Sequence, residues 1–139
     1  MFPPPVEKWR CDVTALVRRA NLQQHPTSPK VARQFVAETM ALWGLVDPEF
    51  VDCVRLLASE LVTNAVVHAR SPAVLTMSLL ADVLRVEVRD GASQPPSART
   101  AGPWATSGRG LALVDALSAR WGSSAAVGGE KVVWFEVTV

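Results

Sequence analysis

Apolar residues recur at the spacing of amphipathic helices in two segments of the first half of the chain. The first helix is predicted to begin at Pro29 and to end at Gly44, because proline suits a first helical turn and glycine suits a helix end. The second is predicted to follow Asp47, a residue type that caps helix N-termini, and to run to about Ala69.

The second half of the chain changes to the two-residue period of β-strands. Residues 74–80 and 84–89 are predicted strands, and a terminal hairpin is predicted around a turn at 127–130. Between them, 90–107 is rich in Gly, Pro and Ser, has no periodicity and is predicted to be a loop, which precedes a helix over 111–120. Helices followed by strands predict an α+β fold in which helices pack on one face of a mixed β-sheet.

Composition narrows the classes of protein that fit. The chain has 139 residues, 49% of them hydrophobic and 19% charged, which suits one folded domain. A net charge of +1 argues against direct nucleic-acid binding through a broad basic face. The longest uncharged run, 71–81, is far shorter than the roughly 20 residues of a membrane helix. Cys11 and Cys53 form no disulfide framework, and with no signal-peptide pattern at the N-terminus the expected location is the cytoplasm.

Glu60 and Asn64 are the first candidates for chemistry. They lie one helical turn apart at the rim of the apolar face of the second helix, so they point the same way. A carboxylate there can accept a proton, and an amide oxygen there can bind Mg²⁺. An ordinary solvated polar pair has the same spacing, so spacing alone leaves both interpretations open. For His68, one turn further, we expect a structural role.

Two glycine-containing segments follow in the second half. Asp90 and Gly91 come directly after a predicted strand, where an acid can accept a hydrogen bond from a base and glycine lets a ligand approach. Gly108, Arg109 and Gly110 precede the predicted third helix, and free backbone N–H groups before a helix form an anion site. A strand-ending turn and a flexible hinge are the alternatives at these two places.

Together these segments resemble the boxes of a known superfamily. Residues 60–69 (ELVTNAVVHA), 88–91 (VRDG) and 107–114 (SGRGLALV) resemble the N, G1 and G2 boxes of the GHKL ATPases. The resemblance is closest to the small bacterial anti-sigma factor serine kinases, and 120–122 (RWG) and 129–135 (GEKVVWF) resemble that family's closing segments. The G1 box lacks the spaced glycines of many members.

The resemblance implies the Bergerat fold, a two-layer sandwich with ATP between the second helix and a lid formed by 91–108. Asn64 would bind Mg²⁺, Asp90 would accept the adenine amino group, and Glu60 would be the general base. The remaining cofactor-binding residues implied by the resemblance are Gly91, Gly108, Arg109, Gly110 and Leu111. Arg109 is a candidate for neutralising phosphate charge.

The resemblance also implies partners. An anti-sigma factor of this kind sequesters a sigma factor and phosphorylates a serine on an anti-anti-sigma antagonist of the STAS type, and a homodimer is one oligomeric state it allows. The alternative is a non-catalytic, nucleotide-gated binding module of the same fold. A detached histidine-kinase catalytic domain is disfavoured. Residues 1–28 are expected to form a leader with a first strand in 6–14, and 29–139 the histidine-kinase-like ATP-binding domain.

Overall fold

The chain folds into a β-sheet with helices on one side. The computed structural model describes residues 15–91, 103–125 and 127–139, and for 103–109 and 127 the backbone alone. Within these ranges the strands and helices follow in the order β1 (Leu16–Leu22), α1 (Ser28–Leu42), α2 (Pro48–Thr63), β2 (Ala73–Leu80), β3 (Val83–Asp90), α3 (Pro103–Leu117), β4 (Arg120–Ala125) and β5 (Lys131–Thr138).

The sheet has the strand order β1-β2-β3-β5-β4, and each neighbouring pair is antiparallel. The predicted α+β architecture is confirmed. The sheet was predicted to be mixed, but all of its described strand pairs are antiparallel. After β3, the chain passes through α3 to β4, and β5 then returns between the two. Because β5 occupies the position beside β3, β3 and β4 do not pair with each other.

Local sequence signals account for the starts of the first two helices and for the end of the first. The Asp47 side chain caps α2 by accepting a hydrogen bond from the backbone N–H of Phe50, at 3.3 Å. Thr27 precedes α1, whose first turn contains Pro29. Gly44, just beyond α1, has a φ of +76°, a conformation that glycine adopts without strain. The predicted starts of α1 and α2 are therefore confirmed to within a residue.

Both ends of α3 differ from the sequence predictions. The predicted loop over 90–107 ends early, because α3 already begins at Pro103, a residue type favoured in the first turn of a helix. The predicted helix over 111–120 ends at Leu117, and Arg120 instead begins β4. Most of the predicted lid, 92–102, lies outside the described residues.

The first described strand lies in the predicted leader. β1 (Leu16–Leu22) pairs with β2 along its whole length, so these residues are part of the sheet. The candidate strand at 6–14 lies outside the described residues, and the extent of the leader stays a prediction.

Apolar side chains of α1 and α2 pack against one face of the sheet. The largest fully buried side chains include Met40 of α1, Leu57 and Leu61 of α2, Met77 of β2 and Phe135 of β5. The apolar face predicted for α2 is therefore confirmed as its core face. In the described ranges, no helix is both long and apolar enough to cross a membrane.

The opposite face of the sheet carries a charged and aromatic cluster. Arg85 lies over the Trp134 ring, 4.1 Å from its centroid, and forms an ion pair with Glu87 at 2.7 Å. Arg85 and Arg120 both form ion pairs with Glu136. Gly122, directly opposite Trp134, leaves room for the indole. These side chains satisfy one another on the side of the sheet that faces away from α1 and α2.

Candidate nucleotide-binding site

The end of α2 and the helical turn that extends it carry the two residues predicted for chemistry. Glu60 and Asn64 are both half-buried, consistent with positions at the rim of the apolar face. Asn64 begins a single π-helical turn, Asn64–His68, that extends α2. Isolated π-helical turns are rare and are frequent at functional sites. The turn contacts β3, so the end of α2 lies beside the strand that ends at Asp90.

Glu60 contacts the helix that follows the predicted lid. A Cβ atom added at the buried Gly110 would lie 2.6 Å from Oε2 of Glu60, a separation that real Cβ atoms essentially never show. Only glycine therefore fits against the carboxylate as it stands. Among the described side chains, Glu60 has no hydrogen-bond or ion-pair partner. The structure thus brings the candidate base and one candidate phosphate-binding residue into contact.

Asp90 is the last residue of β3 and faces the helices. Its side chain is 2% exposed, and its Oδ2 lies 3.6 Å from Nζ of Lys131, whose side chain is 11% exposed. The two residues lie directly opposite each other in the β3–β5 ladder. A carboxylate this deeply buried requires a compensating charge, and Lys131 supplies it.

Gly91 is held by a buried serine from the segment after α2. Its backbone N–H donates to Oγ of Ser71 at 2.9 Å, and that hydroxyl donates to the carbonyl of Pro72 at 2.8 Å. The backbone N–H of Ser71 donates to the carbonyl of Ala65, within the π-helical turn. Ser71 therefore joins the end of the second helix to the Asp90–Gly91 corner.

The predicted phosphate-binding segment is arranged differently from the sequence expectation. Gly108, Arg109 and Gly110 lie inside α3 instead of ahead of it. Only the first four N–H groups of a helix lack intrahelical partners, so these residues do not present a row of free amides. Leu111 packs against the hydrophobic core.

Two other residues named from the sequence lie on α2 and on its π-helical extension. His68 is half-buried at the end of the π-helical turn, and its structural role stays a prediction. Cys53 of α2 is a half-buried free thiol, whose pKa is raised by burial. The described ranges contain no cluster of three or more His, Cys, Asp or Glu side chains that could hold a metal ion.

Sequence reasoning missed Ser71 and Lys131. Ser71 lies just beyond the predicted end of the second helix, and Lys131 lies within the segment 129–135 that resembles a closing segment of the family, but neither was predicted to have a role in the site. The position of Lys131 directly after the hairpin turn would have placed it near Asp90 had the β3–β5 pairing been known. Neither residue belongs to a motif whose spacing alone signals a site.

In the described residues, helices cover one face of the sheet, a buried acid ends β3, and a half-buried carboxylate lies on the facing helix α2. The model of the histidine kinase-like ATPase domain family matches residues 22–136. The chain belongs to this family, which confirms the superfamily resemblance of its sequence motifs.

Comparison with solved structures gives the same fold. Twelve chains of solved structures match. One of them is the crystal structure of the RsbU and RsbW domains of Rv1364c from Mycobacterium tuberculosis, with a TM-score of 0.67 and 21% sequence identity. The match covers 88% of this chain and 32% of that one, so this chain spans about a third of the matched protein. The curated proteins contain no match.

Proposed function

We propose that this protein is an ATP-binding anti-sigma regulatory factor that sequesters a sigma factor and phosphorylates a serine of a STAS-type anti-anti-sigma antagonist. Family membership supports nucleotide binding, and the sequence motifs resemble those of the anti-sigma serine kinases. The solved structure with the same fold contains a domain named RsbW. The proposed site of action is the cytoplasm, where sigma factors work.

The contact between Glu60 and Gly110 is the observation that carries the proposal. It joins the helix with the candidate base to the helix after the predicted lid. A half-buried carboxylate with no partner among the described side chains can accept a proton from a serine hydroxyl that enters beside it. Glu60 would hold this proton while the hydroxyl oxygen attacks the γ-phosphorus of a bound ATP, and the bond to the β,γ-bridging oxygen would break with ADP as the leaving group.

The residues present fit a magnesium-bound nucleotide at two places, beside the adenine base and at the magnesium ion. Asp90 is a buried acceptor suited to an exocyclic amino group, and the exposed Gly91 leaves space next to it. Asn64 would contribute one oxygen to Mg²⁺, which retains waters and phosphate oxygens as its other ligands. When bound, the nucleotide supplies the phosphoryl group and the metal ion neutralises its charge.

The phosphate side of the proposed site is the segment 108–111. We assign Gly108, Arg109, Gly110 and Leu111 to it because Gly110 contacts Glu60. In the described conformation these residues are helical, so the amides of Gly108 and Gly110 would become available only if the start of α3 changed conformation.

That same helical position favours the second candidate function, a nucleotide-gated binding module without catalysis. Such a protein needs Asp90 and Asn64 for the nucleotide but has no use for a base at Glu60. The two candidates therefore predict opposite results for a change confined to Glu60.

The test separates binding from transfer. Glu60→Gln keeps size and hydrogen bonding but cannot accept a proton, so it should retain ATP binding and lose about 10²–10⁴-fold in phosphoryl transfer. Asn64→Ala should weaken ATP and Mg²⁺ binding together. The measurements are calorimetric titration with Mg-ATP and transfer of radiolabelled phosphate to purified STAS-type antagonists.

The matched control is Asp52→Asn, an exposed carboxylate eight positions before Glu60 on the same helix, which among the described residues pairs with Arg55 at 3.6 Å. It should transfer phosphate at the wild-type rate. Transfer by Glu60→Gln at the wild-type rate would exclude Glu60 as the base. A wild-type protein that binds ATP and partner but transfers no phosphate would instead identify the non-catalytic module.

A further inference from the structure

The buried ion pair between Asp90 and Lys131 lies at the adenine side of the proposed site. The two residues are opposite each other at the end of the β3–β5 ladder, on the face covered by the helices. Their side chains are 2% and 11% exposed, and 3.6 Å separates Nζ from Oδ2. That distance is too long for a hydrogen bond of ordinary strength, so the contact is an ion pair.

A buried carboxylate is stabilised by a compensating charge close to it. Lys131 supplies such a charge, 3.6 Å from Oδ2 of Asp90. Because an ionised carboxylate only accepts hydrogen bonds, a fixed Asp90 favours a base that presents an amino group and disfavours one that presents a carbonyl oxygen.

From this we infer that Lys131 is a positioning residue that holds Asp90 as the acceptor for the 6-amino group of adenine and so sets the preference of the site for ATP. The inference rests on the proposed nucleotide-binding function. Lys131 acts through Asp90 and is not required to touch the nucleotide.

A second ion pair on the same two-strand region provides the matched comparison. Arg89 precedes Asp90 and its guanidinium lies 3.5 Å from the carboxylate of Glu130, which precedes Lys131. These side chains are 53% and 41% exposed and lie on the opposite face of the sheet. Exposed pairs contribute little, because water already solvates both charges. Arg89→Met therefore removes a cation at the adjacent position without affecting the buried pair.

The experiment compares ATP with inosine triphosphate, which carries a carbonyl oxygen where ATP carries the 6-amino group. Dissociation constants of both nucleotides are measured with Mg²⁺ for the wild type and for Lys131→Met, Lys131→Arg and Arg89→Met. Circular dichroism and the thermal midpoint of each variant without nucleotide report folding. If Lys131→Met does not fold, Lys131→Gln takes its place.

We expect Lys131→Met to lower the preference for ATP over inosine triphosphate by about tenfold or more. This corresponds to the loss of one charge-assisted hydrogen bond, the one between Asp90 and the 6-amino group. Most of the change should be in ATP affinity. Lys131→Arg keeps the positive charge and should recover most of the preference. Arg89→Met should leave it within about twofold of the wild type.

Three results would overturn the inference. A folded Lys131→Met or Lys131→Gln protein with the wild-type preference would refute the role of Lys131 and leave the proposed function intact. A wild type that binds both nucleotides equally would refute the recognition of the amino group by Asp90. A wild type that binds no ATP would refute the proposed function together with the inference.

Discussion

Gly110→Ala tests whether the contact between α2 and α3 sets the position of the proposed base. A Cβ atom at position 110 would lie 2.6 Å from Oε2 of Glu60 and 3.4 Å from its Cβ and Cδ. The helix backbone cannot yield easily, whereas the carboxyl end of a half-buried glutamate can rotate. We therefore expect Glu60 to move and the fold to persist.

The size of the movement follows from the same distances. Oε2 must shift by about 0.8 Å to reach 3.4 Å, where ordinary van der Waals contact begins. A misplacement of about 1 Å in a catalytic group can cost about 10²-fold in rate. Alanine in place of glycine favours an internal helical position by about 1 kcal/mol, which offsets the strain of moving the side chain. Phosphoryl transfer should therefore fall about 10–100-fold, with little change in the free energy of unfolding.

The assay is transfer of radiolabelled phosphate to a STAS-type antagonist, with ATP affinity and the urea midpoint measured in parallel. Gly110→Ala is compared with Glu60→Gln and with the double variant. If alanine acts through Glu60, the double variant should transfer no more slowly than Glu60→Gln alone, because the two changes disable one group.

Two results would refute this reasoning. Gly110→Ala could transfer phosphate at the wild-type rate, which would mean that the position of Oε2 does not limit the chemistry. Alternatively, the two substitutions could reduce the rate by independent, multiplying factors. Position 110 would then act on another part of the site, such as the phosphate segment.

Two further predictions concern contacts away from Glu60. Ser71→Ala leaves the N–H of Gly91 without its hydroxyl partner. It should lower the free energy of unfolding, measured with urea, by about 1–3 kcal/mol and weaken ATP binding, measured by calorimetry. Unchanged values for both would contradict the bridging role of Ser71. Gly122→Ala would bring a Cβ atom to 2.9 Å from the Trp134 ring. We expect the ring to be displaced from Arg85 and the free energy of unfolding to fall by about 1–3 kcal/mol. An unchanged tryptophan emission would contradict the displacement, and an unchanged urea midpoint would contradict its cost.

Local sequence signals determined much of the fold. Asp47 caps α2 where the sequence predicts a helix start, and Gly44 lies where the sequence predicts a helix end. These features could be predicted because capping and glycine conformations depend on only a few neighbouring residues. The strands β2 and β3 were predictable for a similar reason, since burial alternates along most of each strand with the alternation of residue types.

The candidate site was only partly predictable. The helical spacing of Glu60 and Asn64 and the strand-end position of Asp90 follow from the sequence, and the family match is consistent with the motifs they form. The start of α3 was not predictable, because Thr106, Ser107 and Gly108 have low helix propensity. In addition, the contact of α3 with α2 joins residues far apart in the sequence. As a result, Gly108 and Gly110 were expected to precede a helix that in fact contains them.

The partners of the site residues were decided by tertiary structure alone. Lys131 lies opposite Asp90 because β5 inserts between β3 and β4, a pairing that no local pattern specifies. Ser71 reaches Gly91 because a π-helical turn directs the end of α2 toward β3. The sequence by itself determined which residues are candidates for chemistry, through residue type and short-range spacing. Long-range strand order and helix packing decided which charge and which hydroxyl hold them in position.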